Sequence, residues 1–191
     1  PTSWYEAHLV SEEGTNIIGA TFPGAPCILT GANEYLGWTH TVNYPDKADV
    51  FQLEMKNRTT YIVDGEAHQL VKKKAKMYIR FLGMRIPVSK VFYESIYGPT
   101  LRNKTGVFAV RTPSTTNINA LEQWWRMNKA RSFSEFYSYL EWNALPGYNI
   151  GYADRNDTIF YISNGKIPKR DASYDWQKVV PGNTKKTLWN S

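Results

Sequence analysis

Cysteine is almost missing from this 191-residue chain: Cys27 stands alone, so no disulfide can form within it. It lies in an apolar run, Ala25-Pro26-Cys27-Ile28-Leu29, with no neighbouring base, and reads as a small buried hydrophobe rather than a nucleophile. Histidine is scarce too, and His8, His40 and His68 are too far apart for zinc-type spacing. No Gly-x-Ser-x-Gly elbow occurs, which removes the commonest self-sufficient serine centre. No apolar run reaches the length of a membrane span, and no signal-peptide pattern, repeat or low-complexity tract is present. An initiator Met is also lacking, and the opening Pro1-Thr2-Ser3-Trp4 reads as the start of an excised piece of a longer protein.

What is present is ordinary globular material, 42% hydrophobic and 21% charged, with enough length to bury a core. Aromatic residues reach 15% and are scattered throughout; they fill cores and also line pockets for apolar ligands. The formal net charge is +6. Its densest patch, Val71-Lys72-Lys73-Lys74-Ala75-Lys76, leads into an alternating segment without interleaved stacking aromatics. A solvated strand or sheet edge explains that pattern better than nucleic-acid binding. Asn57, Asn103 and Asn156 head Asn-x-Thr sequons, which matter only in a eukaryotic secretory setting.

Alternating apolar residues between Gly, Pro and Asn signals predict strands over 4–10, 16–22, 25–30, 36–42, 50–56 and 59–63. Asp64-Gly65 is a good two-residue hairpin turn into a strand over 66–81, and 85–93 and 106–111 follow. The period then changes. Leu121, Trp124, Trp125, Phe133, Phe136, Tyr137 and Leu140 recur at helical spacing, giving two helices broken near Arg131-Ser132. Asn117 and Ser132 are candidate N-caps, and Ser132-Phe133-Ser134-Glu135 has capping-box form. Strands return over 148–154 and 158–163, after which the chain reads as an irregular surface segment. The expected class is α+β, a single partial domain over 1–191 dominated by antiparallel strands.

Two tracts carry the chemistry. In Pro146-Gly147-Tyr148-Asn149-Ile150-Gly151-Tyr152-Ala153-Asp154, a Pro-Gly corner sets an amide side chain among apolar and aromatic residues. A carboxamide held there by the fold is a donor suited to a developing oxyanion; a cap or Asx-turn is the simpler alternative. The second tract runs from Gly31-Ala32-Asn33 through Trp38-Thr39-His40-Thr41-Val42 to Asp46 and Asp49. Two carboxylates after a strand offer oxygen donors to a hard cation such as calcium, though two are few, and turn capping is the simpler role. The group that would attack a substrate is not visible in the chain.

Taken together these tracts resemble the penicillin amidase family of N-terminal-nucleophile hydrolases. The likeness rests on Trp4-Tyr5-Glu6-Ala7-His8-Leu9, Phe22-Pro23-Gly24-Ala25-Pro26, Gly31-Ala32-Asn33 with Trp38, Tyr97-Gly98-Pro99, the helical region from Arg126-Met127 to Leu140, and Asn149 to Asp154. The resemblance implies an αββα sandwich and hydrolysis of a linear amide by an N-terminal Ser-type nucleophile exposed by self-cleavage. That nucleophile, and the His that often follows it, would lie before Pro1, so this stretch alone is expected to be inactive. It implies an oxyanion hole of the Val42 backbone N–H and the Asn149 side chain, with Arg170 orienting the site, and a structural calcium at Asp46 and Asp49. It also implies as partners an α-subunit, the remainder of the β-subunit and a small amide substrate, in the periplasm or outside a bacterium. Thr39 stands where the family usually has Gly, and Tyr97 where it usually has His. These departures leave open a diverged, non-catalytic ligand-binding member. Rival readings outside the family are a binding module using the many Trp and Tyr, and a basic-surface protein binding polyanions through Lys72, Lys73, Lys74 and Lys76.

Overall fold

The structure is a computed structural model and describes residues 3–113 and 118–189. In chain order the elements are β1 (Tyr5–Val10), β2 (Asn16–Thr21), β3 (Thr30–Asn33), β4 (Leu36–Val42), β5 (Asp49–Gln52), β6 (Glu54–Met55), β7 (Thr60–Val63), β8 (Glu66–Gln69), β9 (Val71–Phe81) and β10 (Met84–Ser95). They continue as β11 (Gly98–Asn103), β12 (Gly106–Arg111), α1 (Ala120–Lys129), α2 (Phe133–Leu140), β13 (Tyr148–Asp154), β14 (Ile159–Asn164) and β15 (Val180–Pro181). The chain passes twice through each of two units, one made of Pro1–Asp46 and Thr116–Ile167, the other of Lys47–Thr115 and Pro168–Ser191.

The first unit is a six-stranded antiparallel sheet, β1-β2-β3-β4-β13-β14, with α1 and α2 on one face. Alternation decides which face. Leu36 and Trp38 of β4 and Ile150 and Tyr152 of β13 bury against Trp124, Met127, Phe136 and Leu140 of the helices. Burying side chains of this size contributes about 2 kcal/mol each, so this face holds the unit together. The second helix starts as its sequence predicts: the Ser132 hydroxyl accepts from the Glu135 N–H at 3.3 Å. Glu135 reaches back to the N–H of Arg131, 2.8 Å away, one residue before a strict capping box would close. The other expected N-cap, Asn117, lies outside the described residues, and α1 begins after Asn119.

One predicted strand is absent. Residues 25–29 are irregular, with Cys27, Ile28 and Leu29 buried, and the ladder begins only at Thr30. Pro26 brings no N–H to a ladder. Side chains supply the missing partners instead. The Asn128 carboxamide, fully buried on α1, accepts from Ile28 N and donates to Ile28 O, both at 2.8 Å. Thr21 Oγ1 donates to Cys27 O at 2.7 Å. Asn33 plays a related part, donating to the carbonyls of Asn128 and Ala130 at the end of α1 and accepting from Tyr35 and Leu36 N–H. Cys27 is buried, and burial pushes its thiol up to about 11, as befits an inert hydrophobe.

The second unit holds a six-stranded sheet, β15-β5-β12-β11-β10-β9, in which only β15 pairs in parallel, and a three-stranded sheet, β6-β7-β8. Its core gathers Phe51, Tyr61, Val63, Tyr97, Val107 and Trp189. The Asp64-Gly65 turn forms as predicted, both residues at positive φ. The strand expected over 66–81 breaks at Leu70, whose N–H goes to Thr59 O, and the two halves join different sheets. The strand expected over 50–56 breaks similarly at Leu53, whose N–H turns to Val107 O. Strand β11 was not visible as a separate run, because Tyr97-Gly98-Pro99 reads as a turn. The segment after Gly165 is irregular as expected, yet not only surface: Val180, Thr187 and Trp189 are buried.

Replacing Asn128 by Ala strands both the N–H and the C=O of Ile28 in an apolar interior. A loss of about 3 kcal/mol is expected. It is read as a lower urea midpoint at unchanged slope.

Candidate functional site

Asn149 is the second residue of β13, directly after the Pro146-Gly147 corner. That corner is fixed by close backbone approach: a Cβ on Gly165 would stand 2.5 Å from Gly147 Cα, and Gly147 itself has a φ of 136° that suits glycine. Register then places Asn149 opposite Thr41 of β4 and Ser163 of β14, and Tyr148 opposite Val42. Alternation sends Ile150 and Tyr152 to the helix-covered face, and Asn149 to the other.

The neighbours of Asn149 are clamped from the helix side. His40 stands opposite Ile150, with its ring edge-on to Tyr148 (centroids 5.5 Å apart) and to Trp124 (5.3 Å). Its Nδ1 lies 2.9 Å from Leu29 O, so that nitrogen carries the proton and donates. The Trp124 indole N–H, 3.5 Å from the same nitrogen, therefore meets no lone pair there and contributes packing. Nε2 is buried without a partner, and a proton on it would be a charge without solvation. Desolvation accordingly lowers the His40 pKa to about 4, against a smaller upward pull from the Leu29 carbonyl. His40 is a neutral structural ring at any ordinary pH.

Most other asparagines of this unit are tied to protein groups. Asn33 and Asn128 brace the helix as above, Asn16 bridges His8 and Glu34, and Asn43 donates to Ser163 Oγ and Asn164 O. The Asn149 carboxamide meets no hydrogen-bond partner among the described residues and is half-buried. Further along the same motif, Tyr152 donates to Asp154 Oδ2 at 2.8 Å, while Asp154 Oδ1 accepts from Asn156 and Thr158 N–H. Tyr152 and Asp154 thus set the β13–β14 turn. Val42 ends β4 and is 80% exposed, while Trp38 and His40, which alternation puts on its face, are buried. Thr39, where a Gly was expected, stands opposite Gly151, and a Cβ there would meet Thr39 Oγ1 at 2.8 Å. The bulk lost on one strand is carried on the other.

The structure places the remaining predicted residues elsewhere. Arg170 and Asp49 belong to the second unit, where Arg170 Nε lies 2.9 Å from Asp49 Oδ2. Trp189 Nε1 donates to the same oxygen at 2.6 Å. Asp49 Oδ1 is buried with no partner, an acceptor that a hard cation would suit. Asp46 belongs to the first unit, and no group of three or more His, Cys, Asp or Glu side chains stands together among the described residues. In place of the expected His, Tyr97 is buried, with its hydroxyl donating to Thr184 O at 2.8 Å and burial pushing its pKa up to about 12. Asn33 and His40 lie in the second tract but act as positioning residues, and Asn128, which no motif marks, joins them. The one available signal was polar side chains at positions where helix or strand period calls for apolar ones.

The antiparallel sheet backed by a helix pair has the fold of a solved penicillin acylase. The thermostable penicillin G acylase of Alcaligenes faecalis superimposes over 99% of this chain and 34% of its own, with a TM-score of 0.80 at 21% identity. The family model for penicillin amidase matches residues 1–191, and the chain belongs to that family. It is 28% identical over 181 residues to the acyl-homoserine lactone acylase PvdQ of Pseudomonas syringae pv. syringae, covering 89% of this chain and 23% of that protein. It is 25% identical over 176 residues to the aculeacin-A acylase of Actinoplanes utahensis, covering 87% and 22%. The chain therefore spans less than a quarter of the length of these curated relatives. Family membership supports amidohydrolase function. No helix among the described residues is long and apolar enough to cross a membrane.

The His40 shift has a definite sign. Its folded pKa lies below the ordinary value of 6.5, so the unfolded chain takes up the proton first. Stability from this group is intact above pH 6.5, falls as the pH drops toward 4, and is level below that. The span is about 3 kcal/mol. His40→Gln, which retains a donor for Leu29 O, is expected to flatten that part of the curve in urea titrations across the range.

Proposed function

We propose that this chain is part of an acylase that hydrolyses linear amides through an N-terminal hydroxyl nucleophile lying outside it. In this reading the nucleophile attacks the amide carbonyl carbon, and its own α-amino group, with a pKa near neutrality, takes the hydroxyl proton. The carbonyl oxygen becomes an oxyanion held by the Val42 N–H and Asn149 Nδ2. Collapse returns the proton to the leaving amine and leaves an acyl ester, which water hydrolyses by the same route. One observation carries the proposal: Asn149 is a carboxamide without a protein partner, set one residue from the Tyr148–Val42 pair on a strand whose neighbours are locked by His40 and Trp124. A donor fixed before reaction stabilises developing charge without reorganising at the moment of reaction. The acyl-homoserine lactone and aculeacin-A acylases among the relatives favour an N-acyl amide with an apolar acyl group as substrate.

Arg170 is the proposed orienting cation; its own guanidinium is held by Asp49, which also accepts from Trp189. Calcium at Asp46 and Asp49 is proposed as structural only: Asp49 Oδ1 would be a ligand, and the ion's charge would offset that buried carboxylate. The remaining polypeptide of an α- and β-subunit pair is the proposed partner, and a bacterial periplasmic or secreted location the proposed compartment.

In the complete enzyme, Asn149→Ala is expected to lower kcat by about 10²–10³-fold, near 3 kcal/mol, with KM little changed. Unchanged kcat would remove the oxyanion assignment. Chelation of calcium is expected to lower stability by about 2–3 kcal/mol when the ion had been near 100 times its Kd, read by calorimetry with and without chelator. Superimposable scans would remove the ion.

A further inference from the structure

The hairpin of β9 and β10 has no part in the proposed chemistry, and its composition is unusual. Between residues 71 and 95 it carries Lys72, Lys73, Lys74, Lys76, Arg80, Arg85 and Lys90 against Glu94 alone. That is a net +6, the whole formal charge of the chain, since the other 16 basic and 16 acidic residues cancel. Only Tyr93, Glu94 and Ser95 pair with β11, so most of its length is a two-stranded ribbon, and such ribbons are marginal in water without a cover.

The register sorts the side chains by face. Phe81 stands opposite Met84, Ile79 opposite Ile86 and Met77 opposite Val88, so these six apolar side chains share one face near the tip. Arg80 stands opposite Arg85, and with Lys74 and Lys76 they occupy the other face. Met77, Ile79, Phe81, Met84 and Ile86 are all exposed. The tip adds a second oddity. The turn residues Leu82 and Gly83 have φ of 48° and 79°, a conformation that favours Asn, Asp or Gly at both places. Leu82 is 82% exposed, so a large apolar residue is held where both backbone and water disfavour it. At the root of the hairpin an open groove of about 350 Å³ is lined by Leu70, Phe92 and Leu101 with Arg58, Lys90 and Arg102, and by no carboxylate.

Lysines on a free edge strand are commonly there to block edge pairing. That accounts for β9, but not for Arg85 and Lys90 on β10, the opposite apolar face or the leucine at the tip. An apolar tip with cations directly behind it matches a surface that is anionic outside and hydrocarbon within. We propose that the β9–β10 hairpin docks the protein on anionic lipid bilayers, with Phe81, Leu82 and Met84 entering the acyl boundary and Arg80, Arg85 and the root groove meeting lipid phosphates. This function is independent of the amidase reading.

The test is sedimentation of the complete protein that contains this chain with vesicles of phosphatidylglycerol and phosphatidylcholine, against phosphatidylcholine alone. Binding is expected only with the anionic lipid, and is expected to fall as salt rises. Leu82→Asn suits the turn and so preserves or improves the hairpin, verified by an unchanged or higher Tm; it is expected to weaken binding about tenfold. Arg80→Glu with Arg85→Glu is expected to weaken it at least as much. Equal binding to both vesicle types overturns the proposal. So does binding that the arginine variant loses and Leu82→Asn keeps, which would be surface adsorption without insertion. Absence of vesicle binding also overturns it, leaving the apolar face to a second copy, seen as Leu82-dependent self-association, or to another stretch of polypeptide.

Discussion

The exchange of two hydrogen bonds between the Asn128 carboxamide and the main chain of Ile28 is the constraint on which the first unit rests. A helix packed on a sheet by apolar contacts alone can slide, because dispersion and burial have little directional preference. A carboxamide that completes both backbone groups of one residue fixes a single register. The same helix then presents Trp124 to His40 and Tyr148, and Met127 to the sheet, at defined places. Asn33, capping the end of α1 while closing the β3–β4 turn, fixes the other end of the same contact. The order imposed on β13 descends from these polar bonds.

That descent also bears on Asn149. Buried amide groups are ordinarily satisfied by neighbours, and Asn128, Asn33 and Asn43 follow the rule. Asn149 sits on the face away from the helices, on a strand held by its neighbours rather than by its own side chain. A donor whose position is set by others can keep its N–H groups for a ligand. The unit that holds Arg170 is organised around a different polar centre, with Asp49 accepting from Arg170 and Trp189.

Much of the strand and helix layout was legible because period and turn chemistry are local properties. Asp64-Gly65, the alternation of β4 and β13, and the helical spacing of Trp124, Phe136 and Leu140 all report themselves within a few residues. Residues 25–29 did not, since the backbone of Ile28 at their centre is completed by a side chain about 100 positions away. Asn57 and Asn103 carried sequon patterns, yet each accepts from backbone N–H groups two and three residues on and so builds a turn. Asn149 was singled out from its tract, but that its carboxamide lacks the protein partners of Asn33, Asn43 and Asn128 is something no sequence pattern displays. The two-faced character of the β9–β10 hairpin was likewise hidden, because it exists only once Phe81 is set opposite Met84.

The interleaving of the two units along the chain bears on biosynthesis. The sheet of the first unit waits for β13 and β14, and β5 of the second waits for β15, Arg170 and Trp189, more than 100 residues later. While the ribosome works through the middle of the message, Asp49 is a carboxylate whose two donors have yet to be made. Neither half of the sequence can therefore be a finished folding intermediate, and the nascent polypeptide must keep unpaired strand edges from sticking for most of its synthesis.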